Sequence, residues 1–165
     1  MKKFLLLLLT LCMVFGAVSC AKEPSASFEQ PVVIKGVKIS LDDEAKDILP
    51  AMGALIDYDE TPTCNYEGMD KTYVYNGVQL ETYTMKNIEY VRKILLLDDS
   101  SETPEGLRVG ASEETVTEFY GEPTEKFDGG YRYDDKKDSN RLEIGLRDGK
   151  VTYVLYCKIE GNKKN

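Results

Sequence analysis

One pattern occurs twice in this chain, and it limits the possible folds more than any other feature. The segment "VKISLDDEAKDILPAMG", Val37 to Gly53, matches "LRVGASEETVTEFYGEP", Leu107 to Pro123, when Gly53 is aligned with Gly121 at an offset of 68. Ile48 then pairs with Val116, Ala51 with Phe119 and Met52 with Tyr120. Each segment has a short extended start, an acidic first turn, about ten residues of helical spacing and a terminal glycine. Asp42, Asp43 and Glu44, like Ser112, Glu113 and Glu114, suit a helix N-terminus, where oxygens meet free N–H groups and negative charge meets the positive end of the dipole. Glycine just past a helix accepts the left-handed conformation. Pro50 predicts a kink or an end near Leu49.

Behind each helix the pattern changes to period two. The first copy runs "KTYVYN", "VQLETYTM" and "IEYVRKILLL"; the second runs "GYRYDD", "RLEIGLRD" and "KVTYVLYCKI". Tyr73 and Tyr75 answer Tyr131 and Tyr133, and Leu80-Glu81 answers Leu142-Glu143 at an offset of 62. The smaller offset places extra length in the loop after the first helix. Asp148-Gly149 has the residues of a type I′ hairpin turn, and Lys86-Asn87 holds the same place more weakly. "PVVIKGVKIS" predicts a short hairpin around Lys35-Gly36. The expected fold is α+β: tandem α-β-β-β repeats, six main strands in one antiparallel sheet with the helices on one face. The first repeat spans 31–99, a linker 100–106, and the second repeat 107–160. Period two predicts that Leu80, Leu142, Ile144, Leu146, Val151, Tyr153 and Leu155 face the core. It turns Glu143, Gly145, Arg147, Thr152 and Tyr156 away.

The N-terminus carries an address. Lys2 and Lys3 precede the apolar run Phe4 to Val18, which at 15 residues is shorter than the roughly 20 that span a bilayer. "AVSC" follows, and then a Ser-, Ala- and charge-rich stretch, 20–30, that reads as a flexible tether. These four residues resemble a bacterial lipobox. The resemblance implies a signal peptide of residues 1–19, a lipid on the Cys20 thiol, and anchorage in the bilayer at the extracytoplasmic face. Removing residues 1–19 takes away Lys2 and Lys3 and no acid, so the net charge moves from −8 to −10. An acidic chain lacks the cations that nucleic acid phosphates need.

Three likenesses accompany these patterns. "GLRVGASEETVTEFYGEPTE", on a lipidated tether, resembles the small outer-membrane assembly lipoproteins. In tandem the arrangement resembles the β-lactamase-inhibitor-protein fold. "TCNYEGMDKTYVYNGVQLETYT" and "LLLDDSSETPEGLRVGAS" are similar to a group of uncharacterised lipoproteins from Gram-positive gut bacteria, over most of the mature chain. That group brings no activity with it, and fold likeness does not transfer function.

Chemistry is sparsely marked. The chain has no histidine, and no nucleophile elbow, phosphate loop or CxxC motif. No cofactor or metal is expected. "DYDE", Asp57 to Glu60, starts like a calcium loop but has Pro62 where the loop needs glycine and Gly68 where it needs an acid, so it reads as a solvated loop. Cys64 and Cys157, two thiols of an exported chain, either pair as a disulfide or stand apart. Tyrosine is the one excess, 11 residues with no tryptophan. Tyrosine serves both interfaces and cross-strand packing. The first expectation is therefore a non-catalytic module that binds protein or an envelope polymer. Its contacts would lie on the open sheet face around Arg147, or on the loop from Cys64 to Lys71. Tyr66, Glu67, Asp70, Lys71, Tyr73 and Tyr75 are the candidate contacts. A small-ligand or glycan-binding lipoprotein built on tyrosine platforms is the alternative, and a carboxylate-based hydrolase the remote one.

Overall fold

The computed structural model describes residues 28–62, 68–135 and 137–159. It is α+β, mostly antiparallel sheet with two short helices. A small hairpin pairs β1 (Val32–Ile34) with β2 (Val37–Ile39), turning through Lys35 and Gly36, both at positive φ. Then come α1 (Ala45–Ile48) and a 3₁₀ turn, Leu49–Met52. Pro50 has no N–H to continue the α-helical ladder, so the helix tightens and stops there.

The main sheet has eight strands, two more than expected. Its first four are β3 (Asp57–Pro62), β4 (Met69–Tyr75), β5 (Val78–Met85) and β6 (Ile88–Leu96). After α2 (Glu113–Tyr120) come β7 (Glu125–Phe127), β8 (Gly130–Asp135), β9 (Asn140–Arg147) and β10 (Lys150–Lys158). The spatial order is β3-β4-β5-β6-β10-β9-β8-β7. Two meanders thus meet at a β6–β10 seam of four residue pairs, Val154–Leu96 to Cys157–Lys93. The two additional strands, β3 and β7, are the sheet's edges. Edge strands carry charge and lack a buried face, so neither shows the alternation that marks an inner strand. Asp57 to Glu60 is therefore strand, not loop.

One face of the sheet is core. Tyr75, Val78, Leu80, Val91, Ile94, Leu96, Tyr133, Leu142, Ile144, Val154 and Tyr156 stand on it, all buried. Ala45, Ile48 and Met52 cover it on the first half, and Val116 and Tyr120 on the second. The aligned positions agree in burial: Ile48 and Val116 are inside, Met52 and Tyr120 are inside, Ala51 and Phe119 are exposed. Burying this much apolar side chain is the dominant favourable term in folding. Tyr75 donates to Leu49 O and Tyr133 to Gly121 O, at 3.3 and 3.2 Å, so two buried hydroxyls serve carbonyls at the helical ends.

The expected faces hold for β5 and β9 and fail along β10. Gly145 pairs with Tyr153 but Leu146 with Val151, so Thr152 is an extra residue, a β-bulge. The bulge stands Thr152 and Tyr153 on the same side and reverses the phase beyond them. Tyr153 and Leu155 face out, half-buried, and Tyr156 faces in with no exposure. A one-residue shift exchanges faces for every residue that follows.

Candidate functional site

The open face of the sheet is tied to itself. On the first half the register pairs Glu81 with Lys93 and Thr82 with Val91, so Arg92 is the extra residue of a second bulge. Consecutive residues Arg92 and Lys93 therefore both reach the open face, and both reach Glu81, at 3.2 and 2.9 Å. Arg92 also holds Asp70 at 3.0 Å. On the second half Arg141 grips Asp134 with two hydrogen bonds, 2.7 and 3.0 Å. Arg132 binds Glu143 at 2.7 Å and Glu125 at 3.1 Å, and stacks on the Phe127 ring at 4.4 Å. Tyr153 donates to Glu143 at 2.7 Å, and its ring lies where a side chain on Gly145 would be. Burial pulls the Glu143 carboxyl upward in pKa, but the bonds from Tyr153 and Arg132 outweigh it and leave it below the ordinary value. Burial and the Glu143 bond push the Tyr153 hydroxyl up to about 12. Each such pair in partial solvent contributes little to stability. Together they leave few open-face groups uncommitted.

The β3 end of the sheet differs. Glu89 gathers three donors: Thr82 at 2.5 Å, Tyr73 at 2.8 Å and Lys71 at 2.9 Å. Burial alone would raise its pKa; the three donors win and hold it below the ordinary carboxylate range. The Tyr73 ring tilts against Tyr58, centroids 5.1 Å apart. Tyr58 donates to Glu60 at 2.6 Å, which pushes its hydroxyl up to about 12. Outside this cluster β3 is exposed at every position. Leu55 and Ile56, which lead into it, are 48% and 65% exposed, and Tyr58 is 42% exposed.

Hairpin geometry tells which way the β3 backbone points. The two-residue turn Asn76-Gly77 makes Tyr75 and Val78 a hydrogen-bonded pair. Tyr73 and Lys71 then bond to β5, whereas Val74, Thr72 and Asp70 bond to β3 opposite Asp57, Asp59 and Thr61. The backbone groups of Tyr58, Glu60 and Pro62 are left facing outward. The outward N–H of Tyr58 is met by Asp57 Oδ1 at 2.9 Å.

The expected contacts separate. Tyr73, Lys71 and Asp70 stand at this end of the sheet, half-buried and bonded to Glu89, Glu89 and Arg92 respectively. Tyr75 belongs to the core and offers no contact surface, because period two places it opposite buried Val78. Arg147 is exposed at the far end of β9. Tyr66, Glu67 and Cys64 lie outside the described residues, as does Cys20. Cys157 is a free thiol, half-buried on the open face, and burial pushes it up to about 11. Sequence reasoning missed Leu55, Ile56, Tyr58 and Glu89. The signal for β3 was two apolar residues running into an acidic stretch and stopping at a proline, which is edge-strand composition. Among the described residues no group of three acids or cysteines is placed to hold a metal, and no helix is long and apolar enough to cross a membrane.

No protein-family model and no curated protein sequence matches the chain. Among solved structures, an extracellular protein containing a SCP domain from Bacillus anthracis str. Ames aligns at a TM-score of 0.42 and 11% identity, over 72% of this chain and 44% of that one.

Proposed function

We propose that this protein is a lipid-anchored, extracytoplasmic, non-catalytic interaction module, made of two copies of one helix-and-sheet unit, that docks a protein partner at the β3 end of its sheet. The anchor rests on "AVSC" closing a short apolar run behind two lysines. The duplication is supported by matching contacts: Asp42 N and Asp43 O bond to Val91 as Gly110 N and Ala111 O bond to Val151, at 2.8 and 2.9 Å in each pair. The docking site rests on one contrast. The charges of the inner strands' open face, Arg92 and Lys93 with Glu81 and Arg132 with Glu143 among them, are committed to one another, whereas Leu55, Ile56 and Tyr58 lie exposed along β3, whose outer side no described strand pairs. Exposed apolar groups set together mark interaction sites.

The test is made in cells. A photo-cross-linking amino acid at Ile56 should trap a protein adduct, and the same group at Leu155 on the open face should not. Adducts at Leu155 alone, or polymer adducts in place of protein, would reject the site or the partner class. A fatty-acid analogue should label wild type and spare Cys20→Ala; equal labelling would reject the anchor.

A further inference from the structure

We infer that β3 binds its partner by strand addition, and that the partner is an extended, lysine- or arginine-rich segment of about five residues. The inference rests on the docking reading above and supplies its chemistry. An edge strand with outward N–H and C=O groups is a template for another strand. The template is short. Tyr58 and Glu60 present both a donor and an acceptor, and Pro62, with no N–H, presents only an acceptor and closes the register.

Side chains select the occupant. Asp57 and Asp59 project on the open-face side, and Glu60 projects with Tyr58 on the other. A partner strand must therefore bring cations opposite acids on both faces, and cross-strand pairs of opposite charge are favourable. Lys71, the nearest cation across from Glu60, is already bonded to Glu89 at 2.9 Å. A second copy of the chain fits badly. Antiparallel pairing of β3 with itself about Asp59 sets Asp59 against Asp59, and like charges directly opposed are destabilising. The other edge is a poorer template: β7 has three residues, and Lys126 on it lies over Tyr131 at 5.3 Å. Asp57 has two parts here. Its carboxylate occupies the Tyr58 N–H while the edge is empty, and turns to the incoming cation when a strand takes that N–H.

The probe is a fluorescent eight-residue peptide in which adjacent Lys pairs, one Lys for each face of the strand, are separated by Thr and Val, titrated by anisotropy into the full-length lipidated protein in neutral detergent. Two comparators carry the argument: the same peptide with Glu for Lys, and the Lys peptide with alternate backbone amides methylated. The Lys peptide should saturate, and each comparator should bind at least tenfold more weakly. In Asp59→Lys/Glu60→Lys the preference should reverse toward the Glu peptide. Equal binding of the methylated peptide would overturn strand addition in favour of plain charge attraction. A protein that sediments as a dimer broken by Glu60→Pro would make the occupant of the edge a second copy of the chain and overturn the cationic segment. Ile56 adducts in cells without peptide binding would refute strand addition and keep the docking site. Peptide binding without adducts would keep the edge chemistry and refute the cellular site.

Discussion

Backbone bonds staple Asp42 and Asp43 to Val91 in the first half of the sheet, and Gly110 and Ala111 to Val151 in the second. The helix that follows runs four residues in the first half and eight in the second. In the second half Ser112 accepts from Thr115 N and caps the helix; in the first, Glu44 at the same place makes no side-chain cap bond. Gly53 and Gly121 close the two helical segments in nearly the same conformation, φ 91° and ψ −147° against φ 71° and ψ −149°. The last hairpin of the first half turns through Lys86 and Asn87, φ 51° and 63°, where the second uses Asp148 and Gly149, φ 52° and 69°. Similar backbone geometry at these positions is thus reached with well-suited residues in the second half and less suited ones in the first. The poorly suited half also bears the long exposed edge. Local propensity is lower in the half where tertiary contact carries the element, since packing supplies most helical stability in a folded protein.

Matched substitutions in the two halves test how far the halves correspond. The largest effect is at the matched core leucines. Leu80→Ala and Leu142→Ala each empty a fully buried position, and each should cost about 2–5 kcal/mol by urea unfolding. Both variants should unfold in a single transition. A biphasic curve in either would show two separate cores and end the equivalence. Next is capping. Ser112→Ala should cost about 1 kcal/mol, whereas Glu44→Ala should stay within about 0.5 kcal/mol. Equal losses would mean that both helices are held by the same means. The smallest concerns the turns. Gly149→Ala forces a Cβ into positive φ and should cost about 1 kcal/mol. Asn87→Gly should change stability by at most about 0.5 kcal/mol, because asparagine already tolerates that conformation. A large gain from Asn87→Gly would mark the Lys86-Asn87 turn as strained.

Much of this was visible in the residues. Helical ends were legible because Pro50, Gly53, Ser112 and Gly121 act locally, through one missing N–H, two positive φ values and one cap. The inner positions of β5 and β9 were legible because burial on one face imposes strict alternation. The bulges at Arg92 and Thr152 were not. A bulge is set by how two strands accommodate each other's twist, and neither strand announces it alone; missing it misplaced Tyr153, Leu155 and Tyr156. The tyrosines misled for another reason. Tyr73 and Tyr75 are neighbours on one face in sequence pattern, yet Tyr75 lies under the 3₁₀ turn and Tyr73 at the rim, a distinction made by the element above them. The β3 edge escaped notice because its residues bury nothing, so no periodicity was required of them.

The seam between β6 and β10 has a consequence for the order of events. β10 is the last of the described strands to be made, and it sits in the middle of the sheet. Until it arrives, β6 has a bare side with Ile94 and Leu96 beside it, and β9 lacks its longest neighbour. Early pairing is confined to β3 through β6 and to β7 through β9, both local meanders. The closing contact joins Lys93 to Cys157, far apart along the chain, and such non-local pairings form slowly. A newly made molecule therefore spends an interval with two half-sheets and two sticky central edges. A chain stopped before Lys150 would remain in that state, with its most aggregation-prone surface where the finished protein has its most protected one.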